Sequence, residues 1–203
     1  MVKVYAIDGI TPVIDPSAYV HPSAVLIGDV IVGAGVYIGP CASVRGDFGR
    51  IVIHRGSNVQ DGCIIHGFSE QDTVIEEDGH LGHGCIVHCA TVRRNAMVGM
   101  NAVVNDCADI GESAIVAGNA FVRARMVVPP RMLVGGTPAK LMRELTAEEL
   151  AWKIEATGYY QRLAVRSLAT MTETTALTAV EPDRRRIDIG PTLPMGAIRK
   201  QGG

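Results

Sequence analysis

The chain has 203 residues, of which 47% are hydrophobic but only 4% aromatic, and its formal net charge is −2. This length suffices for one domain with a sizeable core, which must be built from aliphatic side chains rather than rings. The small net charge gives no electrostatic reason to expect a nucleic acid or an anionic membrane as a partner. No apolar run approaches the ~18 residues of a membrane span, and residues 1–10 lack the pattern of a signal peptide, so we expect a cytoplasmic protein.

Aliphatic residues recur every six positions along most of the chain. They are Ile14, Val20, Leu26, Val32, Ile38 and Val44, then Ile53, Val59 and Ile65, then Ile75, Leu81 and Val87, and finally Val92, Val98, Val104, Ile110, Val116, Val122, Val128 and Val134. The frame slips between Val44 and Ile53 and again across 67–73, and one residue is dropped between Val87 and Val92. A mostly small residue follows each aliphatic residue by four positions, and turn formers such as Gly, Asn, Asp and Pro lie between them.

A period of six fits neither a helix nor an alternating strand, so each hexad is predicted to be one short strand and a turn. Three hexads then close one triangular coil, and coils stack by parallel pairing at ~4.8 Å. The sequence predicts a mainly β fold, a parallel β-helix over residues 1–138. The hand does not follow from the pattern itself, but families with this hexad form left-handed β-helices. Cys63 and Cys85 occupy the inward small position, so they are predicted to be reduced core thiols.

The C-terminal third of the chain has a different pattern. Thr146 and Glu149 form a capping box, and the apolar residues that follow predict a helix over about 147–170. We expect residues 139–171 to form a helical region packed on the outside of the β-helix. Residues 172–203 are rich in Pro, Gly and Arg and are predicted to be an extended tail, with a solvated basic run at 184–186.

Two histidines are placed on top of each other by the hexad count. His66 follows Ile65 and His88 follows Val87, and the two aliphatic residues are three hexads apart. Both side chains are therefore predicted to face outward from the same face, ~5 Å apart at the backbone. The same outward series begins with Arg45 one coil earlier and continues with Asn105 one coil later. Two stacked imidazoles are well placed to share a metal ion.

His83 belongs to the preceding hexad and so to another face of the triangle. We expect it to meet the His66 and His88 pair of an adjacent subunit, in a homotrimer with one metal site at each boundary. Three protein ligands and a water are typical of a catalytic zinc site. A local site formed by His80, His83 and His88 of one chain is the alternative. His21, His54 and His80 are otherwise predicted to be ordinary surface residues.

Several motifs resemble those of the γ-class carbonic anhydrases. They are Arg45-Gly46-Asp47, Asn58-Val59-Gln60-Asp61, His66, and Gly82-His83 followed by His88. The runs 45–52, 78–83, 94–102 and 136–140 further resemble the phenylacetic acid degradation protein PaaY and its relative, the carnitine operon protein CaiE. The likeness extends from about Val4 to about Leu193.

This resemblance implies a set of roles at the site. His66 and His88 of one subunit and His83 of its neighbour would bind zinc, although imidazole ligands also suit Fe2+ or Co2+. Gln60 would hydrogen-bond the zinc-bound water. Arg45, Asp47 and Asp61 would form an ionic network across the trimer interface. An aromatic or amide group of the C-terminal helix would lie near the active site, and Tyr159 and Tyr160 are the candidates for this role. Packing of the helix against the coils is the alternative explanation for these two tyrosines.

Two departures from the carbonic anhydrase pattern bear on the substrate. Phe48 stands where an acidic residue is expected, and the loop after His66 is short, with Glu70 and Asp72 as no obvious proton shuttle. We therefore expect a zinc-dependent thioesterase of PaaY type, in which zinc-activated hydroxide attacks the carbonyl of an acyl-CoA in aromatic catabolism. The alternatives are a γ-class carbonic anhydrase acting on CO2, a hexapeptide acyltransferase, and a structural trimer with a vestigial metal.

Overall fold

Twenty short strands and one helix follow one another in residues 2–190 and 192, the part of the chain that the computed structural model describes. The strands are β1 Lys3–Tyr5, β2 Val13–Ile14, β3 Tyr19–Val20, β4 Val25–Val32, β5 Tyr37–Ile38, β6 Ser43–Ile53, β7 Asn58–Val59, β8 Ile64–His66, β9 Thr73–Ile75, β10 His80–Leu81, β11 Ile86–His88, β12 Thr91–Val92, β13 Met97–Val98, β14 Val103–Val104, β15 Asp109–Ile110, β16 Ile115–Val116, β17 Phe121–Val122, β18 Val127–Val128, β19 Met132–Gly135 and β20 Lys140–Glu144. The helix, α1, spans Ala147–Thr170.

The strands stack in three faces. The histidine face contains β8, β11, β14 and β17 with the first part of β6, and the helix face contains β3, β5, β7, β10, β13, β16 and β19. The third face contains β9, β12, β15 and β18 with the second part of β6. Each strand pairs in parallel with the strands one coil away, as Val87 does with Ile65 and with Val104. This is the predicted left-handed parallel β-helix with triangular coils.

The recurring aliphatic residues fill the interior of the coils. Ile65, Val87 and Val104 have no exposed surface, and side chains of this kind contribute ~1.5–3 kcal/mol each on burial. Cys63 and Cys85 are also fully buried, with their Sγ atoms 3.6 Å apart, which confirms the prediction of core thiols. Since each coil covers the core of its neighbours, stability is shared along the stack.

The first two slips of the repeat frame form structures beside the histidine face. In the pairing of β4 with β6, Gly28 lies opposite Gly46 but Val30 lies opposite Ile51, so β6 bulges between them. The second slip is the loop 67–72, which rests on this bulge. A Cβ atom on Gly49 would lie 2.1 Å from the carbonyl oxygen of Phe68, so only glycine permits this approach.

Helix α1 begins and ends where the sequence predicted. Thr146 accepts a hydrogen bond from the backbone of Glu149, whose side chain accepts one from the backbone of Thr146. The helix lies on the helix face, where Ala164 and Tyr160 pack with Tyr19 and Tyr37.

The segment 139–171, assigned to the helical region, starts with a strand. After the turn at 137–138 the chain reverses, and β20 pairs antiparallel with β19 before α1 begins. Residues 172–190 contain neither helix nor strand, and residues 191 and 193–203 of the predicted tail lie outside the described residues. No helix in the described ranges is long and apolar enough to cross a membrane.

Candidate metal centre

His66 and His88 form a pair on the histidine face. They end β8 and β11 and lie opposite each other in the parallel register. The Nδ1 atom of His66 is 3.1 Å from the Nε2 atom of His88. The stacking predicted from the hexad count is therefore confirmed, and it brings two ring nitrogens into direct contact.

Each imidazole of the pair is held by a carboxylate on its other ring nitrogen. Asp47 Oδ1 lies 2.9 Å from His66 Nε2, and Asp106 Oδ1 makes a close contact with His88 Nδ1. An ionised carboxylate only accepts hydrogen bonds, so it favours the tautomer with the proton on the nitrogen facing it. In neutral rings this leaves the two facing nitrogens without protons.

The facing nitrogens of His66 and His88 then direct two lone pairs at each other across 3.1 Å. Such an arrangement is repulsive unless a proton or a cation lies between them. Two imidazole nitrogens bound to a tetrahedral zinc at 2.0–2.1 Å are about 3.3 Å apart. The pair thus has the spacing and the carboxylate support typical of two ligands of one metal ion.

His83 lies apart from this pair, in the turn after β10. Its Nδ1 is 3.1 Å from Asp61 Oδ2, and its Nε2 is 3.4 Å from the hydroxyl of Tyr160. Within the described residues, no three His, Cys, Asp or Glu side chains of one chain are grouped to hold a metal ion. The alternative local site of His80, His83 and His88 is therefore not formed, and a third ligand from a second chain stays a prediction.

The charged residues predicted to form one network lie in two places within the chain. Arg45 is 3.3 Å from Asp47, which in turn contacts His66. Asp61 contacts His83 instead. Each predicted acidic residue is thus hydrogen-bonded to one predicted metal ligand, which fits an orienting role for both.

Two phenylalanine rings flank the histidine pair. Phe48, in the β6 bulge, has its ring centroid 5.3 Å from that of His66, and Phe68, in the loop 67–72, lies 5.0 Å from His88. Both rings are exposed, at 63% and 47%. The first two irregularities of the repeat therefore place an apolar surface beside the pair.

His80 is not the surface residue that the sequence predicted. It is only 4% exposed because its outward side chain lies beneath α1. Burial, with the nearby charges of Lys153 and His83, lowers the pKa of His80 to about 3. The hexad count places His80 on an outer face, but it does not say which face the helix covers.

Asp106 is a second residue that sequence analysis did not identify. The outward series named Asn105 as the next residue beyond His88, whereas it is the side chain of Asp106 that reaches the His88 ring. An acidic residue 18 positions after a candidate ligand, one coil further on, is the signal that identifies such a partner in a solenoid.

Tyr160 packs against the β-helix and also reaches His83. Its ring packs against Tyr37 and edge-on against His80, while its hydroxyl reaches His83. Burial, with Asp61 nearby, raises the pKa of Tyr160 to about 12, so the phenol stays protonated. Tyr159 instead lies under the guanidinium of Arg162.

Comparison with known proteins agrees with the repeat and extends along most of the chain. The model of the bacterial transferase hexapeptide (six repeats) matches residues 11–46. The carnitine operon protein CaiE of Citrobacter koseri is 57% identical over 90% of this chain and 93% of its own, and that of Salmonella newport is 54% identical over 90% and 92%.

Two solved structures share both fold and sequence with the chain. One is a Bacillus cereus protein described as an acetyltransferase, with a TM-score of 0.82 and 30% identity over 83% of this chain and 98% of its own. The other is a hexapeptide transferase family protein from Anaplasma phagocytophilum, with a TM-score of 0.77 and 32% identity over 81% and 97%. On the identity to its relatives, the chain belongs to the CaiE family of hexapeptide-repeat proteins.

Proposed function

We propose that the protein is a metal-dependent hydrolase of acyl-CoA thioesters, with zinc as the expected metal. The ligands are His66 and His88 of one protomer and His83 of a neighbouring protomer. The observation that carries this proposal is the pair of facing ring nitrogens, each backed by a carboxylate on the opposite side of its ring.

The chain's own residues supply orientation and environment. When bound, the ion lowers the pKa of a water ligand to about 7 and stabilises negative charge developing on a carbonyl oxygen. Asp47 and Asp106 fix the tautomers of the pair, and Arg45 holds Asp47 in place. Hydrolysis adds water across the C–S bond and gives a carboxylate and a free thiol. The exposed rings of Phe48 and Phe68 suit an apolar acyl group beside the metal.

A trimer supplies the missing ligand. Hexapeptide-repeat β-helix proteins typically form trimers. The histidine face carries an outward apolar row of Ile64, Ile86, Val103 and Phe121, which follow one another in register across four strands. Ile64 and Phe121 are exposed in the single chain at 43% and 38%. Burying this row against a second copy stabilises the assembly and places the pair at a subunit boundary.

Carbonic anhydrase activity is the second candidate, because the same ligand set serves CO2 hydration. The surroundings of the pair favour the thioester, since the exposed rings of Phe48 and Phe68 beside it can pack against an acyl group but cannot carry a proton. Acyl transfer is the third candidate and is favoured by the names of the two structural relatives. An acyltransferase needs a binding site for an acceptor and no metal, so metal content separates it from thioester hydrolysis and from CO2 hydration.

Complementation between subunits tests the proposal. Purified His66→Ala and His83→Ala proteins should each contain little zinc, and neither should release thiol from acyl-CoA esters. When the two variants are co-expressed, about a quarter of the boundaries in random trimers combine the intact pair of one chain with the intact His83 of another. Zinc content and thiol release should return to roughly that fraction of wild type.

The matched control is co-expression of His66→Ala with His88→Ala, which cannot rebuild a complete pair at any boundary. Recovery in this control, or none in the first mixture, contradicts a site shared between chains. CO2 hydration is measured on the same zinc-loaded preparations. Restored zinc with CO2 hydration but no thiol release selects the carbonic anhydrase, and acyl transfer by zinc-free protein selects the acyltransferase.

A further inference from the structure

A chain of buried polar groups lies beneath His83, between the helix face and α1. Gln60 is 2% exposed, His80 4% and Thr157 2%, so none of them exchanges hydrogen bonds freely with water. Buried polar groups of this kind must find partners within the protein. The hydrogen bonds between these groups therefore fix the direction of each side chain.

The amide of Gln60 is engaged on both sides. Its Nε2 is 2.9 Å from Asn58 Oδ1 and 2.7 Å from His80 Nε2. Its Oε1 accepts a hydrogen bond of 3.2 Å from the backbone N–H of His83. Both N–H groups of the amide are therefore used within the chain.

This network also fixes the tautomer of His80. Because the amide nitrogen of Gln60 can only donate, His80 Nε2 must accept and carry no proton. The remaining proton of the neutral ring is then on Nδ1, which lies 3.3 Å from the hydroxyl oxygen of Thr157. Turning the Gln60 amide over would oppose two oxygens at Asn58 and two N–H donors at His83.

The backbone N–H of His83 is bonded differently from the backbone N–H groups of Gly82 and Gly84. Gly82 donates its N–H to Val98 and Gly84 donates its N–H to Asp61, both to main-chain oxygens at 2.8 Å. The N–H of His83 instead goes to a side chain, that of Gln60. The direction of the His83 ring is therefore coupled to a side-chain network that ends on α1.

We propose that His80 is a positioning residue, which orients the Gln60 amide and through it the turn that carries His83, with Thr157 of α1 orienting His80. Gln60 accordingly acts on the main chain of His83. An effect of His80 on metal binding rests on the proposed function, because it requires His83 to be a ligand. The effect of His80 on the His83 turn is independent of the proposed function.

Two pairs of variants separate positioning from general stability. His80→Leu and Thr157→Val remove the hydrogen bonds while keeping bulk, whereas His80→Gln retains an acceptor and Thr157→Ser retains a hydroxyl. His21→Leu is the matched control, since the half-buried side chain of His21 hydrogen-bonds to Ser23, two residues away in sequence. Thermal stability is measured for all five.

The first readout is hydrogen exchange of the His83 amide in metal-free protein labelled with 15N-histidine, which gives at most six backbone signals. We expect the exchange to be about tenfold faster in His80→Leu and Thr157→Val, close to wild type in the two conservative variants, and unchanged in His21→Leu. The second readout is Co2+ affinity, which should fall roughly tenfold in the first two variants only.

Unchanged His83 exchange in His80→Leu, or equal acceleration at all histidines, overturns the proposal and assigns His80 a purely structural role. If wild-type protein fails to bind Co2+ while the His83 amide still responds to His80→Leu, the proposed function fails and the positioning role stands.

Discussion

Asp106 lies one coil beyond His88, and its carboxylate accepts a hydrogen bond from Nδ1 of the His88 ring. The contact fixes which nitrogen of His88 faces His66. Asp106 and His88 are 18 positions apart in sequence, and they meet only because successive coils stack on one another. The histidine pair and its two carboxylates thus come from four successive coils, those of Asp47, His66, His88 and Asp106.

The first prediction concerns this carboxylate. Asp106→Asn should weaken zinc binding roughly 10–100-fold, since the neutral amide favours the required tautomer less and can also present its N–H to the ring. Competition with a chromophoric chelator measures the affinity. Asp109→Asn, which removes one partner of Arg93 on the third face, is the matched control and should leave the affinity unchanged. Equal affinities in the two variants would contradict the role of Asp106.

The second prediction concerns Lys153, which is buried between α1 and the helix face. Its Nζ donates to the carbonyl oxygen of Asp78 and to Asn95 Oδ1, each at 2.7 Å. Burial lowers the pKa of Lys153 to about 7 from its usual 10.5. Two donated hydrogen bonds are as many as a neutral amine can make, so the uncharged form fits this site.

The unfolded chain therefore holds more protons at Lys153 than the folded chain between about pH 7 and pH 10. Stability should rise with pH across this window, with a slope of up to about 1.4 kcal/mol per pH unit from this group. Below pH 7 both states are protonated and the contribution is constant. Above pH 10 the trend reverses, because Tyr37 and Tyr160 have pKa values raised to about 12 by desolvation and ionise first in the unfolded chain.

Denaturant unfolding at a series of pH values tests this prediction by comparison with Lys153→Met. The variant is expected to be less stable at all pH values, since Asp78 and Asn95 lose a donor, so only the pH slope is diagnostic. Identical slopes for the two proteins between pH 7 and pH 10 would show that Lys153 does not change its charge on unfolding.

The third prediction concerns the close approach at Gly49. Gly49→Ala places a Cβ atom 2.1 Å from the carbonyl oxygen of Phe68, so the loop 67–72 must move away from the β6 bulge. We expect a loss of ~1–3 kcal/mol in unfolding free energy and a displaced Phe68. Urea unfolding and a crystal structure of the variant measure both.

Gly158→Ala is the matched control. Gly158 lies inside α1, and a Cβ atom there would approach only the flexible side-chain end of Arg162, at 3.1 Å. Alanine is the better helix former, so this variant should be ~0.5–1 kcal/mol more stable than wild type. Stabilisation by both alanine variants would show that the Gly49 contact relaxes without cost.

The hexad repeat was sufficient to predict the scaffold. A residue that recurs every six positions leaves no other way to bury a continuous aliphatic core, and the same count placed His66 beside His88 because parallel coils keep their register. The capping box at Thr146 was equally reliable, since its hydrogen bonds are local. The hexad count and the family resemblance both assigned His83 to a neighbouring chain, and this assignment stays a prediction.

Tertiary packing decided which face of the β-helix α1 covers. Neither the hexads nor the helix pattern says which of three similar faces α1 covers, and that choice buries His80 and brings Tyr160 to His83. The fine direction of side chains was likewise decided in three dimensions, as Asp106 rather than Asn105 shows. Sequence periodicity determined which residues share a face, because it follows from backbone geometry, whereas the partners of each polar group depended on what packed over that face.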